Sequence, residues 1–353
     1  MDMLYIPEEI LDYIILCATE RNVGRNFNSA SLISNASLTS HTFHQIFLPY
    51  KFRSLNFQMR QDTVIPIPKF CEAINTGDPH ALFLAPLVKE LSLRRWFSGG
   101  SHILAFKKTI NSVLSFRNLT KLNIEKCYTT PFILEQLGKL VQLQSLHTWR
   151  CEVEYKDQEA EVSLPFRALS NLQSLHTLEC SEDGLHFRHY LGYISMENLR
   201  ILKSGDLQVT HTMLLTSDPS ILQLKELWLT LRCYEDYPLL WNFLARVTSL
   251  THLSLPGLKL PDGPPSPNFA FRELQYLHIH IAYVPLFEDQ PLKIIKIDTQ
   301  GISGQLMEEV RYHWRGVVFP YVEYLVTDRR KKEIDRIPIE FWREFLLNVK
   351  KVQ

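Results

Sequence analysis

A chain of 353 residues that is 45% hydrophobic and 11% aromatic holds enough apolar material for a large core, which excludes global disorder. Its 38 Lys and Arg are matched by 38 Asp and Glu, so the basic excess that drives phosphate binding is missing and nucleic acid is not an expected partner. No stretch approaches the roughly 18 consecutive apolar residues of a membrane helix, so a membrane is not expected either.

Glu8, Glu9 and Asp12 interrupt the first apolar stretch, and no basic cluster precedes it, so no secretory signal is read there. The six cysteines (17, 71, 127, 151, 180 and 233) form no C-x-x-C pair, which leaves neither a zinc ribbon nor a redox motif. Free thiols in an intracellular chain, cytoplasmic or nuclear, are the expectation.

In chain order, residues 4–57 read as short helices. Pro7 suits a first helical position, and Glu8 and Glu9 complement the positive end of the helix dipole. Ile10 with Ile14, and Leu11 with Ile15, give two i,i+4 rows, and a second apolar stretch runs from Ala30 to Phe47. A segment this short buries too little surface to stand alone, so its apolar face needs the rest of the chain or another protein. Residues 58–87 read as a connector broken by Pro66, Pro68 and Gly77-Asp78-Pro79.

From residue 88 to 327 one motif recurs, L-x-x-L-x-L with aliphatic or small substitutes. Its copies begin at Val88, Leu119, Leu143, Leu172, Leu199, Leu224, Leu250, Leu274 and Leu292, with a weaker one at Val322. The steps are mostly 24 to 31 residues, with one of 18, against roughly 20–29 for leucine-rich repeats. Three copies continue to a cysteine at the same offset: Cys127, Cys151 and Cys180. A small buried group that turns the chain after each strand is the expected role.

Helical patterns fill the gaps, as in Ile103, Phe106, Ile110 and Val113, and again in Leu240, Phe243, Leu244 and Val247. Pro131 and Pro238 sit where such helices would start. Two insertions, Glu152 to Glu161 and Pro261 to Pro267, should project from the rims. Residues 328–353 read as a helical cap, with Phe341, Trp342, Phe345, Leu346 and Val349 on one stripe. The fold class is therefore α/β: a small helical module, then an irregular solenoid with a curved parallel sheet on the concave side and helices and loops on the convex side.

The first 57 residues also resemble a family. Ile6-Pro7-Glu8-Glu9-Ile10-Leu11-Asp12-Tyr13-Ile14 resembles the opening of the F-box. Ala36-Ser37-Leu38-Thr39-Ser40-His41-Thr42-Phe43 resembles its later helix, with Phe43 where the family carries Trp. Lys51-Phe52-Arg53-Ser54-Leu55-Asn56-Phe57 resembles the ending seen where F-box proteins run into repeats. The resemblance implies a substrate-recognition subunit of an SCF-type, cullin–RING ubiquitin ligase, itself without catalytic residues. By motif match, Ile6, Pro7, Ile10, Leu11, Ile14, Leu38 and Phe43 would dock the Skp-family adaptor, and through it a cullin scaffold.

Side chains alternate across a strand, so the x positions of the motif line one face of the sheet. There His147, His176, Trp228, His252, Tyr276 and His278 form a candidate lane for a substrate protein, with Trp and Tyr as the usual interface anchors. An ordinary solvated sheet face is the competing reading. His278 and His280 do not converge with a carboxylate or thiolate in the sequence, so packing is expected rather than a metal. No nucleotide-binding or hydrolase motif occurs, and no cofactor is expected. The glycosylation patterns at Asn35 and Asn118 fall inside expected elements, and Arg329 to Lys332 is flanked by acidic residues, so both read as incidental. The alternative function is a repeat scaffold for protein–protein contacts without ubiquitin transfer.

Overall fold

The computed structural model describes residues 41–59, 68–96, 100–129, 131–153, 169–178, 198–205, 223–230, 237–258, 269, 271–299, 306–327 and 337–353. Their framework is one twelve-stranded sheet. Its strands are β1 (Ser54–Gln58), β2 (Glu90–Arg94), β3 (Lys121–Glu125), β4 (Ser145–Trp149), β5 (Ser174–Leu178) and β6 (Ile201–Ser204). They continue with β7 (Glu226–Leu229), β8 (His252–Leu255), β9 (Tyr276–His280), β10 (Ile294–Asp298), β11 (Tyr324–Thr327) and β12 (Lys351–Val352). Each pairs in parallel with the next in sequence, the order a stacked repeat array produces.

The motif sets the register. Leu91, Leu122, Leu146, Leu175 and Leu202 stand opposite one another on successive strands. The three inward positions of all ten copies are buried, and they merge into one apolar cluster running from Met59 to Val349. At two of the polar third positions a neighbouring repeat supplies the partner: the Thr177 hydroxyl meets the Ser204 hydroxyl at 3.1 Å, so stacking like on like offsets the cost of burying them.

Helices cover the inward face. Phe106, Ile110 and Val113 of the helix Gly100–Val113 are buried, as are Leu240, Phe243, Leu244 and Val247 in and after the helix Tyr237–Leu244. Pro131 opens its helix, Pro131–Gly138, as its lack of a free N–H favours.

Both ends depart from expectation. The helix His41–Arg53 stops at Arg53, and Ser54–Gln58 is already a strand, with Leu55 opposite Leu91 and Phe57 opposite Leu93. Phe52-x-x-Leu55-x-Phe57 is thus a copy of the repeat motif with aromatic substitutes. The helical reading of 54–57 is corrected. The connector is also structured: the helices Lys69–Asn75 and Pro79–Leu84 pack into the core through Ile74, Ala81 and Leu84. Its breakers act as helix punctuation. Gly77 takes the left-handed φ of 80° that closes the first helix, and an Asp78 carboxylate oxygen accepts from the Ala81 N–H at 2.7 Å to cap the second.

At the other end the helix is regular only over Ile339–Arg343, although Phe341, Trp342, Phe345, Leu346 and Val349 are all buried as expected. The chain then enters β12, where Val352 stands opposite Leu325. Val349-x-x-Val352 is therefore a last partial repeat, and the C-terminal cap is helix and strand together.

Two devices at the strand ends repeat along the array. Asn118, Asn171 and Asn198 each precede a motif, and their side-chain amides donate to the carbonyls of Pro86, Val141 and Ser170 at 2.7, 2.7 and 2.8 Å. Asn348 makes the equivalent bond to Pro320. The Asn118 amide is therefore used inside the fold. The cysteines act as expected: the Cys127 thiol donates to the Leu93 carbonyl at 3.4 Å and the Cys151 thiol to that of Ile124 at 3.3 Å. Burial pushes the Cys151 thiol up to about 11 and Cys127 well above its usual value, so both stay protonated donors. Cys180, most of the Glu152 to Glu161 insertion and the Pro261 to Pro267 loop lie outside the described residues.

Candidate interaction surface

Helices pack on one face of the sheet; among the described residues none covers the other. Strands repeat every ~4.8 Å whereas packed helices need 8–10 Å, so such an array bends toward its strands and the open face lies on the inside. Two columns of side chains run along this face. The first passes from Glu90 through Lys121, Ser145, Ser174, Ile201, Glu226, His252, Tyr276 and Ile294 to Tyr324. The second holds Ser92, Asn123, His147, His176, Lys203, Trp228, Ser254, His278, Lys296 and Val326.

The six candidate residues do not form a single lane. His147 and His176 are cross-strand neighbours in the second column, their rings 5.3 Å apart and tilted edge to face. Trp228 follows two strands later, 43% exposed, with the Lys203 ammonium 5.6 Å from its ring. Lys203 also pairs with Glu226 at 3.4 Å. His278 is only 3% exposed, and its Nδ1 lies 2.8 Å from the Ser254 hydroxyl. It belongs to the wall of the sheet more than to its contact surface. His280 is buried as well, and its Nδ1 accepts from the Ala282 N–H to start the 3₁₀ turn Ile281–Phe287. The packing role expected for His280 matches this geometry.

His252 and Tyr276 lie in the first column, stacked with centroids 5.6 Å apart. Beyond them the same column continues with Ile294 and the 41% exposed Tyr324. The structure therefore draws His252, Tyr276, Ile294 and Tyr324 into one apolar and aromatic patch toward the C-terminal end. Ile294 and Tyr324 went unselected because the first is aliphatic and the second sits in the weakest motif copy. Trp149 was missed for another reason. It lies one residue beyond the motif, where alternation still turns it to the open face.

Burial favours the neutral form of the two adjacent imidazoles, His147 and His176. Burial chiefly, with Lys203 and His147 adding to it, pushes His176 down to about 4. Burial also lowers His147, whose Nε2 is shielded from water without a hydrogen bond; Glu125 opposes that shift and Lys121 reinforces it. Because the folded His176 binds its proton more weakly than an unfolded histidine, its contribution to stability is complete above about pH 6.5 and is lost as pH falls through about 4. An NMR titration of the imidazole nitrogens should find His176 titrating near 4, and His176→Gln should flatten stability between pH 6.5 and 4. A His176 midpoint near 6.5 would contradict this packing.

Of the seven residues expected to dock an adaptor, Ile6, Pro7, Ile10, Leu11, Ile14 and Leu38 lie outside the described residues. Phe43 falls in the helix His41–Arg53, its side chain outside what is described. Among the described residues no group of three or more His, Cys, Asp and Glu could hold a metal, and no helix is long and apolar enough to cross a membrane.

These features define a leucine-rich-repeat-like solenoid with one open sheet face. No family profile matches the sequence, and no curated protein does. Among solved structures the chain is similar to an internalin from Listeria monocytogenes str. 4b F2365, with 14% identity and a TM-score of 0.35 over 82% of this chain and 77% of that one. The solenoid assignment rests on the chain's own parallel register, motif by motif.

Proposed function

We propose that this chain is a non-catalytic recognition protein that holds a partner protein on the open face of its sheet, as the substrate-recognition subunit of an SCF-type ubiquitin ligase. The observation that carries the first part is the sheet face that none of the described helices covers. It runs the length of the sheet and ends in exposed or half-exposed Trp228, Tyr276, Ile294 and Tyr324. Aromatic side chains in such positions are the usual anchors of protein interfaces.

The ligase role rests on the F-box resemblance of residues 4–57. One feature of the fold supports it: the resemblance's last piece, Lys51 to Phe57, spans the helix-to-strand junction where a docking module would pass its partner's position to the repeats. In this reading residues 4–57 bind a Skp-family adaptor, which brings the cullin scaffold, and the repeats present the target. A second reading has its own support. Phe52, in the helix His41–Arg53, lies 5.6 Å from Phe70 of the first repeat's helical back. That contact suits a capping unit for a scaffold without ubiquitin transfer.

The open-face assignment is tested with Trp228→Ala/Tyr276→Ala. In quantitative capture from cells, the partners enriched by the wild-type chain should fall at least about tenfold, the loss of one good anchor or more. The far-UV spectrum and melting midpoint should stay unchanged, since neither side chain is in the core. An identical partner set at identical enrichment would place recognition elsewhere.

A further inference from the structure

At the strand entries, the residue just before each motif decides how the rim of the array is filled. Asn118, Asn171, Asn198 and Asn348 fill it by donating their amides to a carbonyl of the preceding repeat. Glu273 uses the same position for an ion pair with Lys225 at 3.0 Å. In the repeats of β10 and β11 the position falls to Pro291 and Tyr321. Proline has no side-chain donor, and the tyrosine hydroxyl sits at the far end of a rigid ring, so neither reproduces the asparagine bond. The Tyr321 ring stands 63% exposed instead.

A cleft of about 340 Å³ opens at these two residues. Pro291, Tyr321 and Asn348 line it from three successive repeats, and Lys293, Glu323 and Lys350 form its polar fringe two residues further along each chain segment. Glu323 is bonded to Lys350 at 2.6 Å, and the Asn348 amide is spent on the Pro320 carbonyl. Leu347, beside Asn348, adds an exposed apolar side chain. The volume is at the lower end of the roughly 300–1,000 Å³ of ligand sites, and the walls are largely exposed side chains, which suits a stretch of peptide better than an enclosed small molecule.

We infer that this cleft binds a proline-containing segment of a partner protein in the extended polyproline conformation. The rings of Pro291 and Tyr321 offer apolar walls for pyrrolidine rings, and aromatic-lined grooves are the usual hosts of such segments. A polyproline segment makes no internal hydrogen bonds, so its carbonyls need outside donors. The Tyr321 hydroxyl and the Lys293 ammonium are the donors at hand. The spacing agrees as well. One polyproline turn of three residues rises about 9.3 Å, and the two strand steps from Pro291 to Asn348 span about 9.6 Å. Residues i and i+3 of the segment therefore meet equivalent places on the rim. None of the lining residues belongs to the two columns of the open face, so the cleft stands or falls independently of Trp228 and Tyr276.

The test uses the full chain and a fluorescein-labelled (Pro-Pro-Ala)3 peptide, with an equally labelled (Gly-Ser-Ala)3 peptide as control. Fluorescence anisotropy should show saturable binding of the proline peptide and none of the control. Tyr321→Ala should weaken that binding at least about tenfold, as the loss of an aromatic anchor does. Tyr321→Asn installs the residue that four other repeats carry at this position, so it should weaken binding equally while the melting midpoint stays at or above that of the wild type. Four results would overturn the inference: no saturation by the proline peptide at millimolar concentration, equal binding of the two peptides, undiminished binding in both variants, or a lower melting midpoint in Tyr321→Asn, which would make the ring a packing element.

Discussion

Trp314→Ala is expected to cost about 3–5 kcal/mol and to unfold the C-terminal repeats ahead of the others. Trp314 has no solvent exposure, and its ring meets Phe319, Trp342 and Phe345 at centroid distances of 5.6, 6.4 and 5.8 Å. Its indole N–H donates to the Ile281 carbonyl at 3.1 Å. One side chain thus ties the turn after β9 to the last two repeats. In an array stabilised by neighbour contacts, removing such a tie uncouples the end from the rest.

The deletion leaves a cavity in a cluster too rigid to collapse fully, and it strands the Ile281 carbonyl. Trp314→Phe keeps most of the volume and loses the hydrogen bond, for about 1–2 kcal/mol. Tyr312→Ala, two residues away but 78% exposed, should stay within about 0.5 kcal/mol of wild type. Urea denaturation followed by far-UV circular dichroism separates the three. A Trp314→Ala loss below about 1 kcal/mol would show that the C-terminal cluster does not hold the repeats together.

The middle of the solenoid was legible in the sequence because Leu is repeated with a fixed spacing, and burial makes that spacing obligatory. The ends were not. In the first repeat the inward positions are Phe52, at the end of the preceding helix, and Leu55 and Phe57 of β1, and the same residues match the F-box ending, so one string carried two meanings. Around β12 two valines, Val349 before the strand and Val352 in it, stand at motif positions, a pattern too short to read as a repeat. The connector was misread for a related reason. Gly77, Asp78 and Pro79 separate two short helices, each anchored by few buried side chains, and pattern alone cannot distinguish that from a loop.

The open face was legible as a set of positions but not as a surface. Alternation placed His147, His176, Trp228, His252, Tyr276 and His278 on one side, yet how deep each lies depends on its neighbours. His278 is covered where Trp228 stands out, although they are two strands apart in the same column. Trp149 and the left-handed residues Arg95, Lys126 and Arg150 that follow three of the strands needed the backbone, since no sequence pattern announces that an Arg or Lys will take a positive φ.

The second large effect concerns the N-terminal module. Pro7→Ala/Ile10→Asp should abolish adaptor binding, weakening it by at least about a hundredfold. On the proposed F-box reading Ile10, four residues before Ile14, would face the adaptor, and an aspartate there would have to be desolvated against it. On the same reading Pro7 would fix the first helical turn, so its loss would add conformational entropy to the cost of docking. The repeats begin at Phe52, well beyond both positions, and should keep their melting midpoint. Co-expression with a Skp-family adaptor, followed by size-exclusion chromatography and a binding titration, is the most direct measurement. A one-to-one complex that disappears in the double variant is the predicted result. A stable wild-type monomer that ignores the adaptor at micromolar concentration would contradict the ligase role and leave a recognition scaffold that acts without ubiquitin transfer.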